Sequence, residues 1–149
     1  MGHSSSIAPA LFIVAVVGLI VVLSLRQART HDLAQVKVRE DEVRIRPRGV
    51  FGLVALTRVL TIPISQIDTA DLLPGFAMPQ TGALRVGGGQ FGTISAGTFD
   101  GDWGRGFFLT SGAELSLRLE LTDNFYDVVV IDTPLARELA QTIRRASSR

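Results

Sequence analysis

The sequence predicts a mainly β domain held beside a bilayer by one transmembrane α-helix, the domain being a β-barrel or roll capped by a C-terminal helix. Three observations carry that expectation: an uncharged apolar run over residues 7–25, period-two apolar segments after it, and one amphipathic stretch at the end. A chain of 149 residues has room for one ordinary domain and an anchor.

The run IAPALFIVAVVGLIVVLSL contains nineteen residues, thirteen of them Leu, Ile, Val or Phe. As a helix it is about 28 Å long, against about 30 Å of hydrocarbon. Its apolar residues favour insertion by roughly 4–8 kcal/mol. A buried core helix is a poorer account, because a small domain cannot cover nineteen apolar residues on every face. A cleaved signal peptide is also poorer: the leader MGHSSS has no Lys or Arg, and SLRQAR offers no small-x-small cleavage site. Arg26, Arg29, Lys37 and Arg39 follow the span and no Lys or Arg precedes it, which predicts a cell-membrane protein with a cytoplasmic C-terminal domain. Arg26 and Arg29 are candidates for contact with anionic headgroups, or act as a stop signal with no specific lipid.

Residues 26–34 read as a juxtamembrane linker or an extension of the helix, and the β domain is expected over 35–149. Val36 and Val38 alternate with Lys37 and Arg39, then Val43 and Ile45 with Arg44 and Arg46, which predicts a hairpin. Residues 49–67 are apolar, but Arg58 and Pro63 interrupt them, and Gly49–Thr57 is too short to cross a membrane. Two core strands around a bend are expected there, with a segment resting on the bilayer as the alternative. Ten glycines among residues 82–112 forbid a stable helix and suit curved strands and tight turns. In AELSLRLEL, Leu115, Leu117, Leu119 and Leu121 share one strand face, and FYDVVVI follows as a β-branched strand. A helix is expected over 134–146, capped by Thr133 or Asp132, with Pro134 in its first turn. Leu135, Leu139 and Ile143 would form its apolar stripe, and Arg144, Arg145 and Arg149 suit its negative end.

From about Ile62 to Arg145 this order resembles the bacterial pleckstrin-homology-like domains of small membrane-attached proteins. The segments that carry the likeness are IPISQIDTADLL, GALRVGGGQFGTISAGTF, GRGFFLTSG and DVVVIDTPLARELAQTI. The resemblance implies a seven-stranded bent barrel plugged at one end by the C-terminal helix, with no enzymatic activity and no fixed ligand. Eukaryotic relatives often bind phosphoinositides through an early basic loop. At residues 47–50 only Arg48 is basic, a thin basis for such a pocket.

The residues themselves exclude much chemistry. There is no cysteine, so thiolate metal sites, disulfides and Cys nucleophiles are out. The only histidines, His3 and His31, lie outside the expected domain, which removes a Ser-His-Asp triad. Gly87 to Gly92 fits G-x-G-x-x-G, but β-like sequence follows it where a phosphate-binding helix would have to open. Asp100 and Asp102 begin an apparent calcium loop, yet Gly104 and Arg105 supply no oxygen ligand near the fifth position and no Glu stands at the twelfth. A net charge of +1 gives no pull toward nucleic acid. No enzyme, metal or cofactor is therefore expected.

The expected function is a membrane-tethered, non-enzymatic interaction or scaffold module, meeting the bilayer through residues 7–25 and an unidentified protein partner. The alternatives are an anionic-lipid-sensing module using Arg44, Arg46, Arg48 and Arg58, or an accessory subunit of a membrane enzyme or transporter. Trp103 is either an exposed contact at a hairpin tip or, as expected, packed over the barrel end.

Overall fold

A computed structural model describes residues 7–75 and 83–148 of the chain. The leader, His3, Gly82 and Arg149 lie outside them. The first helix, α1, runs from Ile7 to Thr30. Among the described residues it is the one helix long and apolar enough to cross a membrane. Residues 26–30, read as linker or helix extension, are helical. The helix ends where His31 takes a left-handed φ of 52°. The His31 N–H returns to Ala28 O and the Asp32 N–H to Gln27 O, both at 3.3 Å. This paired closure satisfies carbonyls that the last turn would otherwise leave bare.

Among the described residues nine strands follow, in two sheets. The first sheet holds β1 (Ala34–Val38), β2 (Glu42–Pro47) and β3 (Leu60–Pro63), all antiparallel in that order. Val36 stands opposite Ile45 and Val38 opposite Val43, the pairing that the alternation predicts. The second sheet has the order β4-β8-β9-β7-β6-β5. Its strands are β4 (Ile67–Pro74), β5 (Leu84–Phe91), β6 (Ile94–Gly101), β7 (Gly104–Thr110), β8 (Leu115–Leu121) and β9 (Val128–Asp132). Only β7 and β9 run parallel.

The sheets do not close into a barrel, which corrects the closed seven-stranded expectation. Strand β3 passes into β4 through a 3-10 turn at Ile64–Gln66, so the chain turns a corner without adding a ladder. Ile64 N–H bonds Asp41 O on one side and Thr122 N–H bonds Gln66 O on the other, at 2.8 and 2.9 Å. Helix α3 (Ala136–Ser147) lies on β4 and β8 and reaches β1, while the short helix α2 (Val50–Val54) touches β2 and β6. One core unites both sheets and α3 through Val43, Ile45, Ile62, Phe107, Leu117, Leu119, Ile131 and Ile143.

Helix α2 overturns one of the two core strands expected in residues 49–67. A five-residue apolar run such as VFGLV has no period that separates a buried strand from a buried helix. Gly49, at a φ of 52°, turns the chain out of β2, and Phe51 then anchors the helix in the core. The helix proper starts two residues later than Pro134; Thr133 Oγ1 accepts the Leu135 N–H at 3.3 Å just ahead of it, the bond expected of a capping threonine, and Asp132 makes no such bond. Leu135 is exposed, so the buried stripe is Ala136, Ala140 and Ile143, with Leu139 half-buried.

Candidate membrane-surface site

The foot of α1 is built into the domain. Ala28 and Leu33 belong to the common core, and Gln27 lies over Gly49, where an added Cβ would meet its Oε1 at 3.1 Å. His31 is part of the folded domain, contrary to its expected place outside it: its Nδ1 lies 2.8 Å from Ser111 Oγ. Ser111 N–H donates to Asp132 Oδ2 at 2.7 Å, Ala113 N–H donates to the same oxygen at 3.0 Å, and Ser116 Oγ donates to Oδ1 at 2.5 Å. No sequence signal marks this cluster, because its members lie just past the end of α1, in the β7–β8 connection, on β8 and on β9.

Histidine, serine and aspartate thus meet, but not as a triad. A hydrolytic triad needs the carboxylate on the far ring nitrogen of the histidine. Asp132 instead binds the serine's backbone N–H, and its Oδ2 takes both the Ser111 and the Ala113 amide, leaving neither for an oxyanion. The cluster fastens the helix to the sheet. Among the described residues no group of three or more His, Cys, Asp or Glu is placed to hold a metal.

Beside this joint lies a cleft of about 730 Å³ lined by Gln27, Gln35, Arg46, Arg48, Arg58 and Leu53, among others. Alternation on β2 turns Arg46 outward opposite Gln35. Arg48 follows at the end of the strand, and its backbone N–H bonds Leu33 O at 2.8 Å. Arg58 comes from the connection between α2 and β3. Asp32 lies 3.4 Å from the Arg48 guanidinium, while Arg46 and Arg58 have no carboxylate partner among the described residues. The cleft is therefore cationic and suits a phosphate or carboxylate, which a guanidinium grips with two parallel N–H donors.

The structure thus brings together three of the four arginines that the sequence nominated. Arg44 is held by Glu42, 2.5 Å away, and does not line the cleft. Arg26 and Arg29 are exposed on the last turns of α1. Trp103 lies elsewhere. It sits in the β6–β7 turn, and strand β6 separates that turn from the β5–β6 turn by about 23 Å. Its ring packs edge-on against Phe108 at 5.6 Å and covers Gly101, where a Cβ would meet it at 2.6 Å. The packed reading of Trp103 fits this geometry. At that same far end Arg105 grips Asp100 through two bonds of 2.9 and 3.1 Å and stacks over Phe125. The hydrogen bond from Arg105 holds the Asp100 carboxyl below its ordinary range.

Compared with protein-family models, curated proteins and solved structures, the chain matches none of them.

Proposed function

We propose that this protein is a membrane-tethered, non-enzymatic interaction module, related to the bacterial pleckstrin-homology-like domains and held with its β domain on the cytoplasmic face of the cell membrane. Within that reading, the cleft of Arg46, Arg48 and Arg58 engages anionic groups at the membrane surface. The observation that carries it is position: Gln27, one residue past Arg26, lines the cleft at the foot of the membrane helix. Cations this near an anionic leaflet gain about 1 kcal/mol each, and more than a Debye length of separation would erase that gain. The cytoplasmic placement is supported by Arg26, Arg29, Lys37 and Arg39, all close behind the apolar run.

The test compares the full chain in phosphatidylcholine nanodiscs and in discs containing phosphatidylglycerol. Amide exchange at residues 46–49 and 57–59, which carry the three arginines on either side of α2, is expected to be slower in the anionic discs than in the neutral ones, and the R46Q/R48Q/R58Q variant to lose the difference. Equal exchange in both discs at low salt refutes lipid engagement by the cleft. A second reading, a protein partner added as a further strand, is favoured by β5, which ends the six-stranded sheet. Crosslinking from Val86 to another protein in native membranes would support it.

A further inference from the structure

We propose that the β5–β6 turn and helix α2 form a second, monotopic membrane contact, in which Phe91 enters the acyl region of the leaflet that α1 crosses. This inference rests on the reading of α1 as a membrane span. It concerns an apolar groove that meets the arginine cleft along α2, where Leu53 lines the cleft, and it needs no anionic lipid.

The surface begins as an apolar groove of about 220 Å³. One wall is Ile20, Val21, Ser24 and Leu25 of α1. The other is Val50, Phe51 and Val54 of α2 with Phe91 and Ile94 of the hairpin. Ile20 stands six residues before Arg26, the first charge after the apolar run, so the two differ by about 9 Å along the helix axis. Side chains that share a groove with Ile20 and Val21 lie at the depth of those residues. That depth falls in the range of about 5–10 Å to which interfacial elements bury their apolar faces.

The joint keeps them there. Ala28 and Leu33 are in the domain core, the helix closes through His31, and His31 is bonded to Ser111. The hairpin cannot swing away from α1 without breaking that set of contacts. The exposed residues have the composition that such a position demands. Phe91 is 68 % exposed, Leu53 75 % and Leu56 77 %, and they are grouped, with Leu56 against Gly87 and Val54 and Phe91 both against Gly89; a patch of this kind marks a contact surface, which a single exposed ring such as Phe125 does not. Val86 to Thr98 carries no charge, and neither does Gly49 to Thr57. Arg58 and Arg85 flank these two segments, as cations flank the apolar face of an interfacial element. Gly92, at a φ of 57°, makes the two-residue turn that lets Phe91 and Ile94 stand side by side at the tip.

The chain has no cysteine, so single cysteines can carry a spin label in the full-length protein without background. Three are compared in phosphatidylcholine vesicles: Phe91→Cys, Val16→Cys within α1, and Phe125→Cys, exposed at the far end of the sheet. Relaxation by oxygen, which partitions into lipid, is set against relaxation by a water-soluble nickel chelate. The label at 91 is expected to match that at 16, with high oxygen and low nickel accessibility, while the label at 125 shows the reverse. A label at 91 as open to nickel as that at 125, with 16 still in lipid, overturns the second contact and leaves the anchor standing. Shielding of 91 from both relaxants also overturns it, since a second protein copy would then fill the groove. If 16 reports water, the membrane span itself fails. Phe91→Trp in a Trp103→Phe chain gives an independent reading: brominated acyl chains are expected to quench it, and an unquenched tryptophan refutes the insertion.

Discussion

Alanine at position 132 would remove the acceptor on which three groups converge. Asp132 has no exposed surface, and its two oxygens take Ser111 N–H, Ala113 N–H and the Ser116 hydroxyl. Asp132→Ala leaves two backbone donors without an acceptor. Each such orphan costs about 1–3 kcal/mol, so the loss is on the order of 4 kcal/mol. For a chain of this size that lowers Tm by about 8–16 °C. Asp132→Asn is a different perturbation. Its carbonyl oxygen can take both amide protons, as Oδ2 does now, and the Ser116 hydroxyl can turn to accept from the new amide nitrogen. Its cost is about 1 kcal/mol. The assay is thermal unfolding of the full chain in detergent micelles, followed by fluorescence of Trp103, the only tryptophan. Asp132→Ala is expected to melt well below Asp132→Asn, with both below the parent. Equal melting of the two variants would show that hydrogen-bond satisfaction is not what Asp132 supplies.

Two further perturbations test the frame around the site. Gly97 has a φ of 139°, and a Cβ there would collide with Gly87 O and approach Gly88 Cα at 2.7 Å. Gly97→Ala is expected to destabilise by about 3 kcal/mol through overpacking and backbone strain, by the same melting assay. Gly18→Ala, which meets nothing within 4 Å, is expected to be neutral, and equal melting of the two would refute the close approach of β5 and β6. The Asp100–Arg105 pair has a pH signature of definite sign. Its carboxyl is held below the ordinary value of 3.8, so its stabilisation is complete above that value and fades as pH falls through the lowered one. Asp100→Asn is therefore expected to lower Tm at neutral pH and to converge with the parent in acid. A Tm difference independent of pH would refute the assignment.

Period-two alternation placed β1, β2 and β8 in the sequence, because a strand with one face in the core must repeat every second residue. Glycine density placed the β5–β6 and β6–β7 turns, and the G-x-G-x-x-G stretch proved to be strand and turn. The same signals failed where the pattern carries no period. VFGLV reads equally as strand or helix, and the Schellman closure at His31 is a backbone conformation for which histidine is no special marker. The arginines 46, 48 and 58 were legible as cations. Their convergence was not, since Arg58 reaches the cleft only because α2 folds the chain back beside β2.

Sequence alone determined that an apolar helix precedes a mainly β domain closed by an amphipathic helix, and that thiol chemistry has no material to work with. Those properties are sums and periods along the chain, and they survive whatever the fold does at long range. Only the tertiary structure decided that the sheets stay open, that His31 meets Ser111, whose N–H binds the buried Asp132, and that Phe91 and Ile20 line one groove. Each of these joins residues far apart in sequence. Such contacts are selected by packing and by the pairing of buried polar groups, which local pattern does not encode.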